Sequence, residues 1–144
     1  MAGPAGGGNK ARKLEFLLAD ALSKSCDSLI TTGGIQSNQV RQAAGVAAIE
    51  GMQAHLVLRL PAYDMGAQYT INGNLLLCRL LGAKIHPVPF ESDRGAYMQD
   101  LAEVLHQKGA NPYIVPFGGT NALSTLGAVD LGVEAAEQAA SLGF

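Results

Sequence analysis

Four short apolar runs, each leading into a stretch of helical periodicity, limit this chain more than any other feature. "SLITT" (28–32), "AHLVLRL" (54–60), "KIHPVPF" (84–90) and "PYIVPF" (112–117) are rich in β-branched and aliphatic residues and are bounded by glycine or proline. After the first run, Val40, Ala43, Ala44 and Ala47 recur at helical spacing. Leu75, Leu76, Leu77, Leu80 and Leu81 do so after the second, and Met98, Leu101, Ala102 and Leu105 after the third. Gly51, Gly82 and Gly109 stand where these three helices should stop. A further helix with Leu14, Leu17, Leu18, Ala21 and Leu22 on one stripe precedes the first strand, and an alanine-rich one starts near Asn121. Strand–helix alternation of this kind predicts an α/β fold: a small doubly wound parallel sheet of about four strands with flanking helices. The prolines of "KIHPVPF" predict that this strand sits at an edge.

Composition agrees with a packed domain and removes several function classes. The 144 residues are 48% hydrophobic and 15% charged, enough apolar material for one core. A formal net charge of −2 gives no general attraction for nucleic acid or for an anionic membrane. No apolar run approaches the roughly 20 residues that span a bilayer. "MAGPAGGG" lacks the basic and apolar regions of a secretion signal, so a soluble, cytoplasmic protein is expected. Cys26 and Cys78 lack CxxC spacing and read as buried free thiols. His55, His86 and His106 read as isolated, and no HxxxH or His/Cys/carboxylate cluster marks a metal site, so a structural role is expected for them. A GxSxG elbow, a GxxxxGK[ST] loop and a GxGxxG at a strand end are all absent.

Chemistry concentrates in two glycine-led stretches. "GGIQSNQVRQ" (33–42) carries four consecutive polar side chains, Gln36 to Gln39, from a strand end into a helix. Ser37 or Asn38 serves as N-cap, and the free N–H groups and positive dipole end favour a carboxylate or phosphate. Capping accounts for one of the four polar residues; the others point to a small-molecule site. "GGNKARKLE" (7–15) delivers Lys10 to a helix start that it shares with Arg12 and Lys13, where cations are mildly unfavourable. Crowded positive charge lowers the pKa of an amine, and a lysine so tuned is a nucleophile able to form a Schiff base. A solvated surface lysine is the ordinary alternative. Lys13, three residues on, shares a helix face with Lys10, so the two ammonium groups can bracket an anion. "GAQYTINGN" (66–74) has turn character and borders the site, or else simply opens a helix.

The blocks "GGNKARKLEFLLADAL", "LITTGGIQSNQVRQAAGVAA", "INGNLLLCRLLGAKI" and "PYIVPFGGTNALSTLGAV" together resemble one enzyme family. It is the pyridoxal-phosphate-dependent D-cysteine desulfhydrase and 1-aminocyclopropane-1-carboxylate (ACC) deaminase group, within the tryptophan-synthase-β-like fold type II. The resemblance implies that Lys10 carries pyridoxal 5′-phosphate through a Schiff base and then moves the substrate's protons. It also implies that Ser37 contacts the substrate carboxylate and takes part in catalysis. Asn38 is similar to the residue that hydrogen-bonds the 3′-oxygen of the cofactor ring, Gln39 to a substrate-pocket residue, and Lys13 to a basic residue near the cofactor phosphate. Many desulfhydrases resembling this chain have histidine at the position of Gln39, and "QSNQ" is nearer the ACC deaminase pattern. "VRQAAGVAA" resembles the desulfhydrase branch.

Members of that family are two-domain enzymes of roughly twice this length. The resemblance therefore divides the chain into a lysine-bearing segment (1–24), a small α/β domain (25–117) and the start of a large cofactor-binding domain (118–144). The family's phosphate cup, pyridine-nitrogen partner and substrate-pocket tyrosine are expected beyond it, so the chain reads as a fragment. The leading reading is a lyase taking D-cysteine to pyruvate, ammonia and sulfide, with a small amino acid as partner and a homodimer at full length. ACC conversion to 2-oxobutanoate and ammonia is the alternative within the same chemistry. A reading from another class is a catalytically inactive module that keeps the sheet and has lost the site.

Overall fold

A computed structural model describes Gly6, Gly8 and residues 10–143. Most of "MAGPAGGGN", Asn9 included, therefore lies outside the described residues. Helix α1 (Ala11–Ser23) leads into β1 (Ser28–Gly34), α2 (Asn38–Ile49) and β2 (Gln53–Arg59). A 3-10 turn (Ala67–Thr70) precedes α3 (Gly73–Leu80) and β3 (Lys84–Val88). Helix α4 (Arg94–Gln107), β4 (Pro112–Ile114), a second 3-10 turn (Phe117–Gly119) and α5 (Ala122–Ser141) complete the order.

The four strands form one parallel sheet in the order β3-β2-β1-β4. β1 and β2 are central and buried almost throughout, because Leu29, Ile30, Leu56, Val57 and Leu58 meet helices on both faces. Proline-bearing β3 is an edge, as its composition requires. Two strands are shorter than their apolar runs. β4 ends at Ile114 since Pro116 cannot donate to the ladder, and β3 ends at Val88 ahead of Pro89. On one face Leu14, Leu17, Val40, Ala44, Leu56 and Leu75 pack α1, α2 and α3 into the larger core. On the other, Ile30, Val57, Val88, Met98 and Ala102 seat α4. Helices on both faces make the sheet doubly wound. Gly51, Gly82 and Gly109 follow their helices with positive φ, the backbone state a left-handed stop needs.

Burial departs from the sequence pattern in three places. Leu76, Leu77 and Leu80 of α3 are exposed, and only Leu75 and Cys78 of that helix reach the core. Cys78 is a buried free thiol, whose pKa burial pushes up to about 11, whereas Cys26 is free but half-buried. The histidines also differ. His55 and His86 are not isolated: parallel pairing of β2 with β3 sets them diagonally, Nδ1 to Nε2 at 3.1 Å with stacked rings. Among the described residues no group of three metal-ligating side chains occurs, and no helix is long and apolar enough to cross a membrane.

The histidine pair gives the fold a defined acid sensitivity. Burial, then the charges of His86 and Lys84, hold the His55 pKa down at about 4, and burial lowers that of His86 as well. An unfolded histidine takes its proton near pH 6.5, so unfolding binds protons that the fold refuses. Stability is therefore complete above about pH 6.5 and falls as the pH drops towards 4, by about 3 kcal/mol for a shift of this size. Urea melts at pH 7 and pH 5 should show the loss. His55→Leu, which fills the same space without a titrating ring, should flatten the difference over that window.

Candidate functional site

The sheet order fixes where a ligand can sit. From β1 the chain moves towards β2 on one side, while β4 adds on the other, so the loops leaving β1 and β4 diverge at their carboxyl ends. Open α/β sheets bind ligands in the crevice at such a reversal. Both glycine pairs flank it: Gly33-Gly34 closes β1, and Gly118-Gly119 follows β4.

Gly33 lets the chain enter α2 tightly. A Cβ there would stand 2.6 Å from Val40 Cγ2 and 2.8 Å from Ser37 Oγ. Ser37 is the N-cap of α2, its Oγ accepting from the Val40 N–H at 3.3 Å. Its hydroxyl thus has a structural duty besides any contact with a ligand. Gln39 is buried, and its Nε2 donates to Thr31 Oγ1 at 3.1 Å, while Thr31 donates to the Val115 carbonyl at 3.3 Å. That line ties α2 to β1 and to the segment after β4. Gln39 Oε1 is left buried with no partner among the described residues.

The start of α1 lies beside this loop. The missing Cβ of Gly8 would stand 2.6 Å from Gln42 Nε2, and Gln42 Nε2 donates to the Asn38 carbonyl at 3.1 Å. Two residues after Gly8, Lys10 is half-buried at the N-cap position, and its side chain caps nothing and has no partner among the described residues. Lys13 Nζ donates to Thr120 Oγ1 at 2.9 Å, and a Cβ on Gly119 would lie 3.7 Å from Gln39 Nε2. Arg12 is not left to crowd the two lysines, since it pairs with Glu15 at 3.4 Å and with Glu134 of α5. The N-termini of α1, α2 and α5 gather at this edge, and none carries an acidic residue in its first turn. Three positive dipole ends and two ammonium groups suit an anionic ligand.

Of the residues singled out from sequence, Lys10, Lys13, Ser37, Asn38 and Gln39 all fall at this edge. Gln39 faces inwards, and Lys13 reaches the loop after β4. Gln36, Gln42 and Asn74 lie in the polar stretches singled out from sequence, but their contacts were not foreseen. Gln36 Nε2 donates to the carbonyls of Tyr69 and Asn72 (2.7 and 3.2 Å), and its Oε1 accepts from the Asn74 N–H at 2.8 Å. Asn74 Nδ2 donates in turn to the Gln36 carbonyl at 2.8 Å and to Asn38 Oδ1 at 2.9 Å. "GAQYTINGN" thus borders the site through its last residues. The signal was Asn-Gly-Asn at 72–74, where Gly73 has φ +60 and a Cβ would sit 2.5 Å from Gln36 Oε1.

The model of the family described as pyridoxal-phosphate dependent enzymes matches residues 2–142. The chain belongs to that family. A solved ACC deaminase homologue superposes with a TM-score of 0.74 at 37% identity, over 86% of this chain and 37% of its own. A hydrogen sulfide-producing enzyme, solved with an α-aminoacrylate intermediate, gives 0.63 at 18% identity over 94% of this chain and 39% of its own. A threonine deaminase from T.th. gives 0.59 at 17% over 99% and 39%. The last two share the fold. The chain spans between 37% and 39% of the length of these three relatives.

The family's cofactor carries an aldehyde, a phosphate and an acidic ring hydroxyl, and the residues present fit it. Lys10 offers an uncommitted amine, the gathered helix ends favour anions, and Asn38 offers an amide NH2 with no partner among the described residues. Lys10 is the group that would hold the aldehyde and Asn38 the ring oxygen, with Lys13 on the phosphate side.

Proposed function

We propose that the whole protein is a pyridoxal-phosphate-dependent lyase of small amino acids, with D-cysteine desulfhydration as the leading reaction. The observation that carries this reading is Lys10, an uncommitted amine at the start of α1, set beside the capped mouth of α2. Bound pyridoxal phosphate supplies the electron sink that makes the substrate α-proton acidic and lets a β-substituent depart. Lys10 holds the cofactor and then carries protons to and from the substrate carbon. Ser37 Oγ and the free N–H groups of the α2 N-terminus receive the substrate carboxylate. Asn38 and Gln39 line the pocket, Asn38 towards the cofactor. Lys13 neutralises the phosphate. Residues 118–144 open a larger domain that completes the pocket, and the full protein is a homodimer acting in the cytoplasm.

A second reading, ACC deamination, is favoured by the 37% identity to an ACC deaminase homologue and by glutamine at position 39. Both reactions release ammonia, and they differ in the bond broken: C–S in D-cysteine, a ring C–C bond in ACC. Sulfide release from D-cysteine, measured beside 2-oxobutanoate formation from ACC, separates them. The leading reading expects sulfide at a rate at least about tenfold above 2-oxobutanoate, a difference of about 1.4 kcal/mol in transition-state binding. The opposite ratio would overturn it in favour of the second.

A further inference from the structure

Among the polar groups at this edge, Asn38 has an amide whose orientation is fixed through unambiguous backbone partners. Gln36 donates Nε2 to two carbonyl oxygens and accepts at Oε1 from a backbone N–H, so its amide has one orientation. Asn74 Nδ2 donates to the Gln36 carbonyl, which only accepts, so that nitrogen is assigned without reference to any side chain. The atom of Asn38 facing the same nitrogen at 2.9 Å must then be its oxygen. Gln42 completes the restraint by holding the Asn38 carbonyl at 3.1 Å. Asn38 is exposed, and its NH2 is the face left for a ligand.

We propose that Gln36 and Asn74 are positioning residues that pin the Asn38 amide with its NH2 outward, so that this position accepts an anionic oxygen and rejects a donor. The inference rests on the reading that pyridoxal phosphate is bound here, its ionised 3′-oxygen being the acceptor. A donor aimed at that oxygen stabilises its anion and draws density from the neighbouring lysine linkage, which then loses its proton at lower pH.

The test compares the wild-type protein with Asn74→Asp and Asn74→Ala, each loaded with pyridoxal phosphate and followed by visible absorbance against pH. The carboxylate introduced by Asn74→Asp offers only acceptors, so Asn38 turns its NH2 inward and shows the cofactor an oxygen. The pH midpoint of that variant should rise by about one unit and its cofactor affinity fall about tenfold. Asn74→Ala, which merely frees Asn38, should shift the midpoint less in the same direction. A packing role alone would lower the melting temperature and leave the midpoint where it was. Folded variants with the wild-type midpoint overturn the inference. If the wild-type protein shows no saturable visible band, the underlying reading fails instead. NMR of the cofactor-free protein then decides the pinned geometry: a coupling through the hydrogen bond from Asn74 Nδ2 to Asn38 supports it, and its absence refutes it.

Discussion

Lys10→Ala should abolish the saturable visible absorbance that the protein gains with pyridoxal phosphate, the largest effect expected of any single change. In the proposed reading, position holds the amine ready for an aldehyde. Lys10 stands at the N-cap of α1, where a side chain is aimed off the helix and makes no cap of its own. Its neighbours are already committed, Arg12 to Glu15 and Glu134, Lys13 to Thr120. Gly8 presses its backbone against Gln42 and so brings this helix start to the mouth of α2. Removing the amine leaves the phosphate and ring contacts, so weak binding of the free aldehyde form remains while the lysine-linked spectrum disappears. Loss of Lys10 should scarcely change the melting temperature, because the side chain bonds nothing among the described residues. A Lys10→Ala protein with the unaltered visible spectrum would mean that another lysine carries the cofactor.

Gly127→Ala should cost the fold about 2 kcal/mol, whereas Gly132→Ala in the same helix should stabilise it by up to about 1 kcal/mol. A Cβ on Gly127 would lie 2.1 Å from the Arg12 carbonyl oxygen and 2.6 Å from its carbon, backbone that no rotamer change can move. Helices α1 and α5 are in direct backbone contact at that point, and α5 must lift for the methyl to enter. The shift would pull on Thr120, which Lys13 holds, and on Glu134, which Arg12 holds. At Gly132 a Cβ meets nothing, so the substitution only removes glycine's conformational freedom from a helix interior. Thermal melts should show a fall of roughly 6 °C for Gly127→Ala and no fall for Gly132→Ala. Cofactor affinity should drop in the first variant alone, because the proposed site includes the start of α5 and Thr120, which Lys13 holds. Equal melting temperatures in the two would refute the close approach of α1 and α5.

Much of the fold was legible because the signals were local. Strand runs with β-branched residues, apolar stripes at helical spacing and glycines at helix stops gave the element order, the parallel sheet and the edge place of β3. Strand lengths were misjudged where proline follows an apolar run, as at Pro89 and Pro116, since proline fits the hydrophobic pattern but cannot donate to the ladder. The leucines of α3 mislead for another reason: Leu76, Leu77 and Leu80 face out, and where leucines lie on several sides of a helix only tertiary packing decides which side is covered.

In the site, the residue types were visible and their partners were not. Ser37 as a cap follows from sequence, since capping links residues three apart. The bonds from Gln36 and Asn38 to Asn74 span 38 and 36 positions, and no periodicity reports them. The same holds for the His55–His86 pair, which exists only through the register of β2 on β3. Gln39 looked like a pocket residue because it follows "QSN"; its burial and its bond to Thr31 give it a duty in joining α2 to β1 as well.

The central claim is that the start of α1 and the mouth of α2 form one cofactor site built on Lys10. Borohydride reduction of the protein with stoichiometric pyridoxal phosphate, followed by peptide mass mapping, tests it most directly. The reduced cofactor should be found on the peptide containing Lys10, and the other lysines, Lys13, Lys24, Lys84 and Lys108, should stay unlabelled. Label spread evenly over those lysines, or confined to any one of them, would contradict the account.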